Sequence, residues 1–172
     1  MSLRYFSLLT FIKLRYLVAG LLLLAVFVIP KSHIARAFEG GDGSTGNPYL
    51  VSNCSMLQDM SNDTTASYKL TTNIDCSDTV NWNGGQGFLP VGDMSNHFTG
   101  SFDGNSKVIN GLTINRNQSW VGLFGVLDEQ GTVHDVTLSN VNITGGYYDV
   151  GALVGVAAGT ISKVSIGDPT FS

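Results

Sequence analysis

The sequence predicts an all-β protein built from stacked, similar units, and three observations carry that expectation. The first is repetition. Val121-Gly122-Leu123-Phe124-Gly125 precedes Gly131-Thr132-Val133-His134-Asp135-Val136-Thr137-Leu138. Val150-Gly151-Ala152-Leu153-Val154-Gly155 precedes Gly159-Thr160-Ile161-Ser162-Lys163-Val164-Ser165-Ile166 in the same way. The second is phase. An apolar-x-x-apolar-x-apolar pattern begins at positions 109, 133 and 161, which gives spacings of 24 and 28 residues. Self-similarity on this scale marks units that bury their apolar faces only against one another. The third is composition. The 172 residues include 21 Gly and 4 Pro with much Asn, Thr and Ser, which suits short strands joined by turns.

Within the β segments, Leu112-Thr113-Ile114, Val136-Thr137-Leu138 and Val164-Ser165-Ile166 put aliphatics on one face and a hydroxyl on the other. Parallel stacking would align those aliphatics in columns. Gly122, Gly125, Gly151 and Gly155 are expected where the backbone turns sharply or packs closely. An antiparallel sandwich explains the alternation equally well, but not the repeat.

Residues 1–37 read as a secretory leader. Leu17 to Ile29 is a run of 13 apolar or small residues behind Arg4, Lys13 and Arg15. That is short for a bilayer span, which takes about 20. Ala35-Arg36-Ala37 then offers a cleavage site after Ala37. The alternative is an uncleaved anchor, the one route by which this chain would meet a membrane. Five of nine basic residues precede Phe38 and all 13 acidic residues follow it, so residues 38–172 carry 4 − 13 = −9. An acidic remainder without a basic stripe argues against nucleic-acid binding.

Residues 38–76 are expected to form an N-terminal cap and a first rung. Asp42 among glycines reads as a turn, because no calcium-ligand ladder follows. Tyr49-Leu50-Val51 is a strand, and Ser52 or Asn53 caps a short helix carrying Met56, Leu57 and Met60, a lid over that rung. Leu70, Ile74 and Cys76 point inward from the next strand, with Cys76 at the position of Ile114, Leu138 and Ile166. Cys54 and Cys76 are the only cysteines. In an exported chain they are expected to be joined; a zinc site would lack partners nearby.

Residues 77–172 are expected to form the stacked rungs. Asn81-Trp82-Asn83-Gly84-Gly85 is turn chemistry, and Asp103-Gly104 a tight turn into a strand over residues 108–114. At Phe98-Thr99-Gly100-Ser101-Phe102-Asp103-Gly104-Asn105, Ile109-Asn110-Gly111-Leu112-Thr113-Ile114 and Val121-Gly122-Leu123-Phe124-Gly125 the chain resembles proteins carrying GLUG motifs. Gly122-Leu123-Phe124-Gly125 matches the Gly-Leu-any-Gly core. The second copy keeps Leu153 and Gly155, with Val154 at the free position, but has Ala152 at the first glycine. Resemblance implies an exported surface protein, a right-handed parallel β-helix, and a role as a module in adhesins or envelope proteins. Some members carry a peptidase domain, but no His-Glu-x-x-His occurs here.

No catalytic residue, metal set or cofactor is expected. His97 and His134 lack a nucleophile in a recognisable motif. The carboxylates Asp103, Asp128, Glu129, Asp135 and Asp149 are the set a polysaccharide-cleaving β-helix would need, and grouping on one face would favour that alternative. Tyr147, Tyr148 and Asp149 form the candidate glycan-contacting edge, against the plainer reading of an exposed corner. Sequons stand at Asn53, Asn62, Asn117 and Asn142. The expected function is a non-enzymatic surface module for adhesion or envelope architecture, with an unknown surface ligand, a glycan among the options. Only six residues follow Ile166, which predicts a poorly covered last rung and self-association through it.

Overall fold

The computed structural model describes residues 38–167 and 170–171, and the leader expected over residues 1–37 lies outside them. The chain forms β1 (Tyr49–Val51), α1 (Cys54–Asp59), a 3₁₀ turn (Met60–Asn62), β2 (Ser67–Leu70), β3 (Ile74–Asp75) and an irregular segment, largely 3₁₀ (Ser77–Gly85). Then follow β4 (Ser101–Asn110), β5 (Thr113–Arg116), β6 (Phe124–Leu127), β7 (Thr132–Ser139), β8 (Asn142–Gly145), β9 (Val154–Ala157), β10 (Thr160–Gly167) and β11 (Thr170–Phe171). The class is all-β with little helix.

Every pairing between these strands is parallel. The first sheet runs β1-β2-β4-β7-β10, with β3 also on β4; the second runs β11-β8-β5; the third pairs β6 with β9. Each sheet is open. From β4 onward the chain visits the first, second and third sheets in turn, then returns to the first beside its previous strand. Parallel neighbours need a long connection. Between β4, β7 and β10 the other two sheets supply it, and between β1 and β2 a short helix does.

Register places like on like. Val133 lies between Phe102 and Ile161, and Leu138 between Ile109 and Ile166. Ile114 pairs with Ile143, and Phe124 with Val154. The interior is Phe102, Ile109, Ile114, Phe124, Val133, Leu138 and Ile143, all fully buried.

The apolar-x-x-apolar pattern has a backbone cause. In a regular strand, Val133 and Val136 would face opposite sides. Asp135 takes a left-handed conformation (φ 55°) and resets the phase, so both are buried. Lys163 (φ 51°) does the same between Ile161 and Val164, and Asn140 (φ 50°) between Leu138 and Val141. The pattern therefore occurs twice per circuit, which corrects the expected alignment. Ile109 sits opposite Leu138, not Val133, and the motif at 109 is the first-to-second-sheet corner. Successive register partners Ile109, Leu138 and Ile166 are 29 and 28 residues apart. Cys76 is likewise displaced: Ile74 pairs with Ile109 and holds the Leu138 column, while Cys76 follows β3. It is still fully buried.

At the start of the chain, Asn53 caps α1, its side chain accepting from Met56 N at 2.9 Å. Cys54, Leu57 and Met60 are buried, and α1 is the connection between β1 and β2. A disulfide joins Cys54 to Cys76. The free edge of β1 is covered, since Leu50 N donates to Gly40 O at 2.9 Å and Glu39 N to Leu50 O at 3.1 Å. A run of ring contacts continues inward, with Phe38 stacked on Tyr49 at 4.8 Å and tilted pairs of Tyr49 with Tyr68 at 5.7 Å, Tyr68 with Phe98 at 6.3 Å and Phe98 with Phe124 at 4.8 Å.

Gly125 and Gly155 lie inside β6 and β9 rather than at corners. A Cβ on Gly125 would come within 2.3 Å of Gly92 O, and one on Gly155 within 2.7 Å of Gly125 O. They are glycines because consecutive circuits approach there backbone to backbone.

Candidate functional site

Two surface regions gather polar side chains. The first is a ladder on the outward face of the first sheet. Lys69, Asp103, His134 and Ser162 occupy one register column. Lys69 Nζ meets Asp103 Oδ2 at 2.7 Å, and His134 Nδ1 stands 3.7 Å from Asp103 Oδ1 and 2.8 Å from Asp135 Oδ2. Lys163 Nζ lies 3.5 Å from the other Asp135 oxygen. The hydrogen bond with His134, then the charge of Lys163, hold the Asp135 carboxyl below its ordinary range. Asp103, His134 and Asp135 each present one ligand atom within 4.8 Å of the others, so this set could hold a metal ion. Any such ion would compete with Lys69 and Lys163 for the same oxygens.

Asp103 also accepts from Asn105 N at 2.7 Å. That bond sits in the β4 bulge, where Asn105 and Ser106 are left-handed (φ 50° and 55°). The expected tight turn is thus a bulge within one strand, Ser101–Asn110. Asp128 is elsewhere, 3.1 Å from His97 Nδ1, and is held low chiefly by that contact.

The second region is a pair of hollows beside the third sheet. The larger, about 640 Å³, is lined by residues of 61–64, 89–96 and 118–120. The other, about 410 Å³, lies against α1 and the Ser77–Gly85 segment, and both share Ser61, Asn62 and Leu89. Their walls are fixed. The Gln58 side-chain amide grips Leu89 twice, donating to Leu89 O at 2.9 Å and accepting from Leu89 N at 2.8 Å. Asp93 Oδ1 accepts from Ser95 N and Asn96 N at 2.7 and 2.8 Å, which orders the 93–96 turn. Trp120, left-handed at φ 61°, donates its backbone N–H to Tyr148 O at 3.2 Å.

The expected glycan edge is adjacent but separate. Tyr147 and Tyr148 are 70% and 75% exposed and line neither hollow, nor does Asp149. Val121 pairs with Val150, so Ser119 stands opposite Tyr148 and Trp120 opposite Asp149. Trp120, Asn62 and Asn96 were missed from the sequence. Aligning the polar residues before each apolar run would have placed Trp120 beside Asp149 at once. The repeat-motif residues Gly122, Leu123, Phe124, Gly125, Leu153, Val154 and Gly155 build the third sheet and the approach to it, with Leu123 and Phe124 fully buried.

Among the described residues no helix is long and apolar enough to cross a membrane. No family model matches the chain, and no solved structure matches it. It is similar to Halomucin of Haloquadratum walsbyi, 37% identical over 137 residues, covering 73% of this chain and 2% of that protein. It is equally similar, 37% over 137 residues, to a Gly-rich membrane protein of Evansella cellulosilytica, covering 77% of this chain and 16% of that one. The chain therefore spans a small fraction of the relatives it matches.

Proposed function

We propose that this chain is an exported, non-enzymatic module of a cell-surface protein, folded as a right-handed parallel β-helix and serving adhesion or envelope architecture. The observation that carries the reading is the stacking itself. From β4 onward successive circuits stack in parallel register, with Ile, Leu and Val in shared columns. Such a body grows by repetition into a long scaffold, and both relatives are long proteins, one named as a mucin and the other as a membrane protein. The GLUG reading of Gly122-Leu123-Phe124-Gly125 belongs to the same proposal.

The alternative, a polysaccharide-cleaving β-helix, would rest on Asp103, His134 and Asp135. Lys69 and Lys163 already engage those carboxylates. Each hollow holds a single carboxylate, Asp93 in one and Asp59 in the other. The reading is tested by tagging the chain in its own cells and shaving intact cells with protease. Loss of the tag is expected; protection until lysis would refute a surface location. Release of reducing ends from any polysaccharide would refute the non-enzymatic part.

The edge of β10 uncovered among the described residues, where Ile161 and Ile166 are exposed, is proposed to pair with a second copy of the chain. Light scattering showing a stable monomer at high concentration would count against that.

A further inference from the structure

We propose that the two hollows form one continuous binding groove for a neutral polysaccharide chain, with Trp82 and Trp120 as its two stacking platforms. This deepens the surface-module reading and rests on it. The chain has two tryptophans, and each lines one of two hollows that share Ser61, Asn62 and Leu89. Trp120 is 38% exposed, although an indole usually gains by burial. Its left-handed backbone fixes it at the rim. Trp82 packs against the core and donates Nε1 to Asp78 Oδ2 at 3.2 Å, so its ring is also held.

The polar lining is uncharged apart from Asp93 and Asp59. Asn62, Asn96 and Gln118 are exposed, and no hydrogen bond from their side-chain amides to another described residue is seen. An amide offers two donors and an acceptor, which matches the alternating needs of sugar hydroxyls. Fixed walls lower the ordering cost of binding. A pyranose presents C–H groups on one face, which suit the electron-rich face of an indole. Acidic sugars are disfavoured by Asp59, by Asp93 and by the excess of acidic residues after Phe38. The ligand class is therefore a neutral, extended glycan rather than a uronate polymer.

The test is titration of the full chain, followed through the two indole N–H signals by NMR. The probes are neutral gluco- and manno-oligosaccharides, with oligogalacturonate as the acidic comparison. Both indole signals should move with at least one neutral probe and with none of the acidic ones. Trp120→Ala and Asn96→Ala should each weaken binding roughly tenfold. Tyr147→Ala with Tyr148→Ala should leave it within about twofold. An unmoved Trp82 signal in unbound Trp120→Ala certifies that the fold is kept. Movement of one indole alone, tighter binding of the acidic probe, unchanged affinity in both groove variants, or silence toward every neutral probe at millimolar concentration would overturn the proposal. That silence would leave the surface-module reading standing, since exposure on intact cells tests it separately.

Discussion

The two ends of the first sheet are made of the same kind of strand and meet opposite fates. At the β1–β2 end, Tyr49, Val51, Tyr68 and Leu70 are all buried. A disulfide, a capped helix and the hydrogen bonds of residues 39–40 close that end. At the β10 end, Ile161 and Ile166 are 41% and 43% exposed, although their register partners Val133 and Leu138 are fully buried. Among the described residues no strand pairs with the far edge of β10. The difference lies in the neighbours, not in the residues. In a stacked sheet an apolar side chain is buried by the circuit above as much as by its own.

The sharpest way to break that comparison is within one column. Leu138→Ala removes a side chain packed from both sides and should cost about 3.5 kcal/mol. Ile166→Ala removes one packed from a single side and should cost about 0.5 kcal/mol. Chemical denaturation of the two variants checks this. Similar losses would mean that β10 is covered in solution.

The closed end should depend on its staple. Cys54 and Cys76 are 22 residues apart, and replacing both by Ala should cost about 3 kcal/mol in the loop-entropy picture. Hydrogen exchange should quicken most in β1 and β3 and least in β10. A uniform change would show that the ends are not independent. Asn53→Ala should cost about 1 kcal/mol, because Met56 N loses its acceptor.

How much of this was legible follows from what each feature depends on. The alternation at Val136-Thr137-Leu138 is local, so it could be read directly. The capping of α1 by Asn53 was readable for the same reason, and the pairing of Cys54 with Cys76 from their being the two cysteines of a chain read as exported. The alignment at Ile109 failed because left-handed residues at 111 and 140 repeat the apolar-x-x-apolar phase at a second corner. Gly111 and Asn140 are residue types that ordinary turns use as well, so neither marks that corner by itself. The aromatic run from Phe38 to Phe124 joins residues far apart in sequence, and the hollow beside Trp120 is assembled from three separate segments. Neither has a local signature. The tyrosines drew attention because they are adjacent, and adjacency in sequence said nothing about concavity.

Acid should act on the ends unequally, and this is the smallest expected effect. Asp135 lies in β7 and contacts Lys163 of β10, so its ionised form ties the two strands on their outward face. Its folded carboxyl titrates below the ordinary value of 3.8, chiefly through the hydrogen bond with His134. A depressed carboxylate contributes stability that is present above the unfolded value and is lost as pH falls through the folded one. The loss therefore falls below pH 3.8. Asp135 is not the sole such group: Asp75 and Asp78 are also held low, by Ser77 and by Asn81 respectively. Their bonds, however, are local to the stapled end. Acidification should then raise exchange in β10, after correction for intrinsic rates, before it does so in β1–β3. Asp135→Asn should flatten that acid response in β10 while leaving the response of β3 as it was. An acid response of β10 that survives Asp135→Asn unchanged would show that the ladder does not hold the two strands together.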